Sequence, residues 1–143
     1  MKSLLAKLVL FALGLTTMGV SVARAQIVNA VDFKMTQPFT VGNTTLPPGS
    51  YSIRVVPGID QSVIEVAAPS GKPSVMVDVN TAQPNGASGG TRLVFNKYNK
   101  VLALSEVFPG GGSTGYQLVA GHPEKLAAKT EKPTKQTVTG TAK

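Results

Sequence analysis

Few residues in this chain have side chains that could do chemistry, and their spacing decides what that chemistry could be. The 143 residues contain one His, no Cys and seven carboxylates. Without Cys there is no disulfide framework, thiolate metal site, cysteine nucleophile or lipid-modified cysteine. One imidazole, His122, rules out a multi-histidine metal site. It sits in Gly121-His122-Pro123, read as an exposed linker, whereas a serine hydrolase needs its His packed and oriented by a carboxylate. The carboxylates are Asp32, Asp60, Glu65, Asp78, Glu106, Glu124 and Glu131. A glycosidase would need two of them facing each other across a cleft. Glu106 shares strand parity with Leu102 and Leu104, so it is the acid expected on an apolar face, with Asp78 or Glu65 as its partner in a hydrolase. Asp78 and Glu65 are expected to point away from the valine faces of their strands. No catalytic residue is assigned, and no metal or cofactor is expected.

Two other patterns have a specific chemistry to test. Gly110-Gly111-Gly112-Ser113-Thr114-Gly115 spells GxGxxG after a strand-like run. A dinucleotide site needs a helix to open at that loop, and Tyr116-Gln117-Leu118-Val119 resumes strand character instead. The run therefore reads as a loop. The hairpin Arg92–Lys100 mixes cations with aromatics, and Arg92, Lys97, Tyr98 and Lys100 are the candidate binding surface, able to stack a base or a sugar. The plainer alternative is a polar hairpin tip with Phe95 in the core, so that Phe95→Ala would destabilise far more than Tyr98→Ala.

The elements that must position these residues read as short strands. Tyr51, Ile53 and Val55 alternate with Ser52 and Arg54, and Val75, Val77 and Val79 alternate with Met76 and Asp78. Period 2 marks half-buried strands, since successive side chains point to opposite faces of a sheet. These six residues, with Leu93 and Phe95, are the predicted core. Ser62–Ala67, Arg92–Lys97 and Val101–Phe108 are β-branched or aromatic runs of strand length, and Phe39–Val41 and Tyr116–Val119 are weaker ones. Leu46-Pro47-Pro48-Gly49, Pro57-Gly58, Pro69–Pro73 and Pro84-Asn85-Gly86 punctuate them as turns. The fold class is all-β: a single small antiparallel β-sandwich or barrel of about seven strands.

Met1–Ala25 read as a secretory signal peptide. Lys2 and Lys7 precede an apolar stretch from Leu8 to Val20, and Ala23-Arg24-Ala25 is a small-x-small cleavage site ending at Ala25. The chain then divides into a signal at 1–25, a β domain at 26–121, and a segment 122–143 that begins with a short helical turn and continues as a disordered Lys/Thr/Pro-rich tail. Of the net charge of +7, the signal carries three cations and residues 122–143 five lysines against two acids. The body has six cations against five acids. A nucleic-acid binder should concentrate basic charge on its folded body, so no nucleic-acid partner is expected. The tail points instead to an anionic envelope polymer. No membrane-spanning segment is expected after processing. Export to the periplasm or the extracellular space follows from the signal.

Taken together, Phe39-Thr40-Val41-Gly42, Leu46-Pro47-Pro48-Gly49-Ser50-Tyr51-Ser52-Ile53, Leu93-Val94-Phe95-Asn96-Lys97-Tyr98 and Leu104-Ser105-Glu106-Val107 resemble a group of uncharacterised small secreted bacterial β proteins. That group shares the pattern F-x-V-G…L-P-x-G-x-Y-x-I…L-V-F-x-x-Y…L-S-x-V, and the match runs over residues 37–129. The sequence departs from it at Glu106 and Phe108, where the pattern has Gln and Trp, and in its longer tail. The resemblance implies compartment and fold class and carries no active site. The expected function is an exported, non-catalytic binding or structural module; the alternative is a small exported hydrolase of polysaccharide or peptidoglycan.

Overall fold

A computed structural model describes residues 30–56, 62–84, 89–110 and 114–143. The expected signal and its cleavage site at Ala25, Asp60, and the centre of the glycine run at 111–113 lie outside the described residues. The rest is all-β. The strands are β1 (Val31–Met35), β2 (Phe39–Val41), β3 (Thr44–Leu46), β4 (Gly49–Val55), β5 (Val63–Ala67), β6 (Ser74–Ala82), β7 (Arg92–Lys97), β8 (Leu102–Phe108), β9 (Gly115–Leu118), β10 (Thr134–Thr139) and β11 (Thr141–Ala142), with one helix, α1 (His122–Ala127). The described residues thus hold eleven strands rather than about seven. The hydrogen-bonded order is β10-β7-β8-β9-β6-β5-β4-β1-β11, with β2 pairing β3 and β8. The sheet is mixed only because β2 meets β8 in parallel, at Thr40 and Ala103.

Alternation places the core. Tyr51, Ile53, Val77, Val79, Leu93 and Phe95 are buried as their parity requires, while Val55 and Val75 are half-buried and pack at its margin. Phe39 stands at the centre: its ring lies 5.1 Å from that of Tyr51, 5.8 Å from Phe33 and 5.9 Å from Phe95. The Tyr51 hydroxyl donates to the Pro47 carbonyl at 2.6 Å and so ties the Leu46–Gly49 turn to this ring cluster.

Two expectations are corrected by the pairing. Glu106 does not share a face with Leu104, because the ladder between β7 and β8 shifts register between Val94 and Phe95: Phe95 opposes Leu104, while Val94 opposes Glu106. Ser105 is the extra residue of this bulge, and it reverses parity beyond it. Val107 therefore turns inward, 1% exposed, and Glu106 outward.

The segment 122–143 is the second. It is neither separate nor unstructured. α1 packs on the body, β10 runs antiparallel along β7 over six register pairs, and β11 pairs with β1. Composition misleads here because main-chain hydrogen bonds do most of the holding, and they need no apolar side chains. Val138 packs against the core, Lys135 reaches Glu106 at 3.2 Å, and Lys143 reaches Asp32 at 2.6 Å. Gly140 joins the two strands where a side chain has no room: a Cβ there would lie 2.7 Å from Val31 Cγ1. A free tail would leave stability unchanged on removal. Deleting residues 134–143 should instead lower the melting temperature by more than about 5 °C, the shift expected for a loss near 1 kcal/mol in a domain of this size. An unchanged melt would show that the two strands contribute nothing.

Candidate functional site

The site begins with two glycines. Val41 opposes Thr44 across a two-residue turn, Gly42-Asn43, and Gly42 takes φ 56° at the first central position. That conformation strains any residue with a Cβ, and it is the one a type II′ hairpin turn needs. The chain leaving β9 then crosses this turn so closely that a Cβ on Gly121 would fall 1.8 Å from the Gly42 carbonyl oxygen. The His122 N–H donates to Asn43 Oδ1 at 2.7 Å and fixes the crossing.

A groove of about 600 Å³ opens beside this crossing. One wall is the β2–β3 turn, another the Val119–His122 connection with Lys125, and the floor is the stretch of β6 from Val75 to Asp78. Asp78 of β6 and, some forty residues on, His122 and Lys125 of α1 all line it. Among the described residues only three large apolar side chains are exposed, and two of them, Met76 at 62% and Val119 at 43%, line this groove. Met76 lies outside because it alternates with Val75 and Val77. An apolar residue on the polar side of an alternating strand was the signal in the sequence that could have found the site.

A second groove of about 650 Å³ lies over β1 and β4. The Asp32–Lys143 ion pair stands on its lining, with Lys34, Ser50 and Ser52 around it. None of the exposed large apolar side chains of the described residues lines it.

The predicted hairpin surface is not assembled. Arg92 stacks over the Phe108 ring, 4.5 Å from its centroid, at the opposite end of β7 from the turn. Lys97 and Lys100 are exposed, but Tyr98 is 6% exposed. Its hydroxyl donates to Glu124, and burial together with that negative charge pushes its pKa up. Asn96 Nδ2 donates to the same carboxylate at 2.6 Å, and the Asn99 N–H donates to Glu131 at 2.7 Å. Asn96, Tyr98 and Glu124 therefore dock α1 onto the hairpin, so Tyr98 is a packing residue and not a stacking platform. The reading of Tyr98 as part of an exposed binding surface is corrected accordingly, and Tyr98→Ala should carry a packing cost of its own.

The carboxylates are placed separately. Glu106 is bonded to Lys135. Glu65 accepts from Arg54, directly opposite on β4, at 2.6 Å, and from Ser74 Oγ. Asp78 and Glu65 occupy diagonal positions on the outer face of β5 and β6. The Ser74 and Arg54 hydrogen bonds hold the Glu65 carboxyl below its ordinary range. A general acid needs the opposite displacement. A lowered carboxylate contributes stability that is fully present above its unfolded value and is lost as the pH falls through its folded value. Wild type should therefore lose stability as pH falls below about 4.5, the ordinary glutamate value. Glu65→Gln should flatten that acid limb while leaving the melt at neutral pH lower. Identical pH profiles for the two proteins would refute the assignment.

The residues following the glycine run form β9, paired with β6 and β8, so the helix a dinucleotide loop requires is replaced by a strand. Among the described residues no cluster of three or more metal-ligating side chains occurs, and no helix is long and apolar enough to cross a membrane. Comparison with family models, with curated proteins and with solved structures finds nothing that matches this chain.

Proposed function

We propose that this chain is an exported, non-catalytic binding module of the cell envelope or extracellular space, and that the groove over β6 is its binding surface. The observation that carries this is the exposed pair Met76 and Val119 lining one concavity. Concave, partly apolar sites with a few polar groups at the rim are where ligands bind. Asp78, His122 and Lys125 would supply orientation there.

Support for a non-catalytic role comes from the carboxylates: Glu65, Glu106, Asp32 and Glu124 are each engaged by a neighbouring side chain. Support for export comes from the charged, apolar and small-x-small order of residues 1–25. For the basic segment beyond residue 121, as distinct from the groove, an anionic envelope polymer is the proposed class of partner. Of the lysines beyond residue 121, Lys135 and Lys143 are tied to carboxylates, so that contact would rest chiefly on Lys125, Lys129 and Lys132.

The test is retention of the purified protein on isolated envelope material, sacculi and membranes separately. Met76→Asp and Val119→Asp should each leave the fold intact, since both side chains are exposed. Together they should weaken retention by about tenfold, as loss of two apolar anchors would. Undiminished retention by the folded double variant would remove the groove as the site. N-terminal sequencing of the exported product should begin at Gln26.

A further inference from the structure

β6 changes partners along its length. Its first half, Ser74–Asp78, pairs with β5, and its second half, Val79–Ala82, pairs with β9. The two partners lie on opposite edges. The Val79 N–H donates to Ser62 on the β5 side, whereas the Asp78 carbonyl accepts from Val119 on the β9 side. In an antiparallel ladder, main-chain groups alternate between the two edges. Val75 and Val77 thus bond toward β5, while Ser74 and Met76 present their N–H and C=O to the other edge. There β9 ends at Leu118, its ladder closes with the Val119 N–H bond to Asp78, and Val119 and Ala120 line the groove beyond. The Met76 main chain therefore faces the groove, where an extension of β9 would have run.

We propose that this edge, unpaired among the described residues, takes an extended peptide segment as an added strand, laid along Ser74–Val77 in line with β9. The inference rests on the groove being the binding surface and names what it binds. Unpaired main-chain donors and acceptors at ladder spacing are complementary to another backbone in β conformation and to little else. A strand of about four residues, some 13 Å, fits the unpaired length. Side chains on one face of that strand would lie beside Met76 and Val119, which selects an apolar residue there. The added strand also continues the existing β9–β6 ladder, so its register is set before it arrives.

Hydrogen exchange on the purified protein tests this. The probe is a capped eight-residue peptide alternating valine and threonine, with a lysine at each end. At saturation it should slow exchange of the Met76 amide by about tenfold. The same peptide N-methylated at alternate residues should not bind. Met76→Pro should remain folded, because proline is tolerated where the N–H points off a strand edge, and it should no longer bind. If that variant unfolds, the N-methylated peptide decides. A Met76 amide that exchanges equally fast with and without saturating peptide overturns the proposal, as does equal binding of the N-methylated peptide. A concentration-dependent dimer that protects Met76 without peptide would assign the edge to a second copy and likewise overturn it. If envelope retention depends on Met76 and Val119 but the peptide leaves Met76 unprotected, strand addition fails and the groove stands. If the peptide protects Met76 while retention ignores both side chains, the reverse holds.

Discussion

Phe39→Ala should lower stability by about 4 kcal/mol, the largest effect expected of any core truncation here. Phe39 is 1% exposed and touches three other rings, two of them edge-on at interplanar angles above 80°. Removing it costs the transfer of a phenyl group, the cavity left behind, and three ring pairings, each contributing on the order of 1 kcal/mol beyond burial. The cavity cannot collapse easily. Phe33 and Tyr51 are held by the β1–β4 ladder, and Phe95 by the ladder between β7 and β8. In a domain of this size the melting temperature should fall by on the order of 20 °C. Tyr98→Ala should fall between this and a surface change, since it loses buried area and leaves Glu124 with one donor fewer. A drop of less than about 5 °C for Phe39→Ala would show that the ring cluster is not the centre of the core.

Gly121→Ala is the second large effect, about 3 kcal/mol, from the addition of one methyl group. The Cβ would lie 1.8 Å from the Gly42 oxygen, 2.2 Å from its carbonyl carbon and 2.9 Å from the Asn43 nitrogen. All three are backbone atoms, so no side-chain rotation relieves the clash. Gly121 has φ −78°, which alanine adopts freely, so the effect is purely one of space. The crossing must open, and the His122–Asn43 hydrogen bond goes with it. Gly90→Ala is the matched control, since nothing lies within 4 Å of its Cβ position. Comparable melting temperatures for the two variants would refute the close approach.

Where burial enforces alternation, the sequence is transparent. Tyr51–Val55 and Val75–Val79 show their inward and outward faces directly, and the Pro-Pro-Gly turn before Tyr51 is equally plain. β1 has the same signal in Val31, Phe33 and Met35 alternating with Asp32 and Lys34. β10 has no such signal: Thr-Lys-Gln-Thr-Val-Thr half-buries only Gln136 and Val138, one of them polar, and its pairing energy lies in the backbone, which every sequence shares. The bulge at Ser105 is similarly silent, because one inserted residue inverts every later parity assignment without altering composition. The groove was hidden for a different reason. It is assembled from a turn at 42–44, a strand at 75–78 and a connection at 119–122, and only tertiary packing brings these together.

The pairing of β11 with β1 has a consequence for the order of assembly. Val31 meets Ala142, a partner 111 positions downstream, whereas β7 and β8 meet across the four residues Tyr98 to Val101. Closing so long a loop costs chain entropy before any contact compensates for it, so the hairpin forms early and the clasp between first and last strands forms late. Interactions made after the folding barrier govern escape from the native state rather than arrival at it. The clasp at Gly140 is therefore a kinetic lock: weakening it shortens the lifetime of the folded protein while leaving the speed of folding almost untouched.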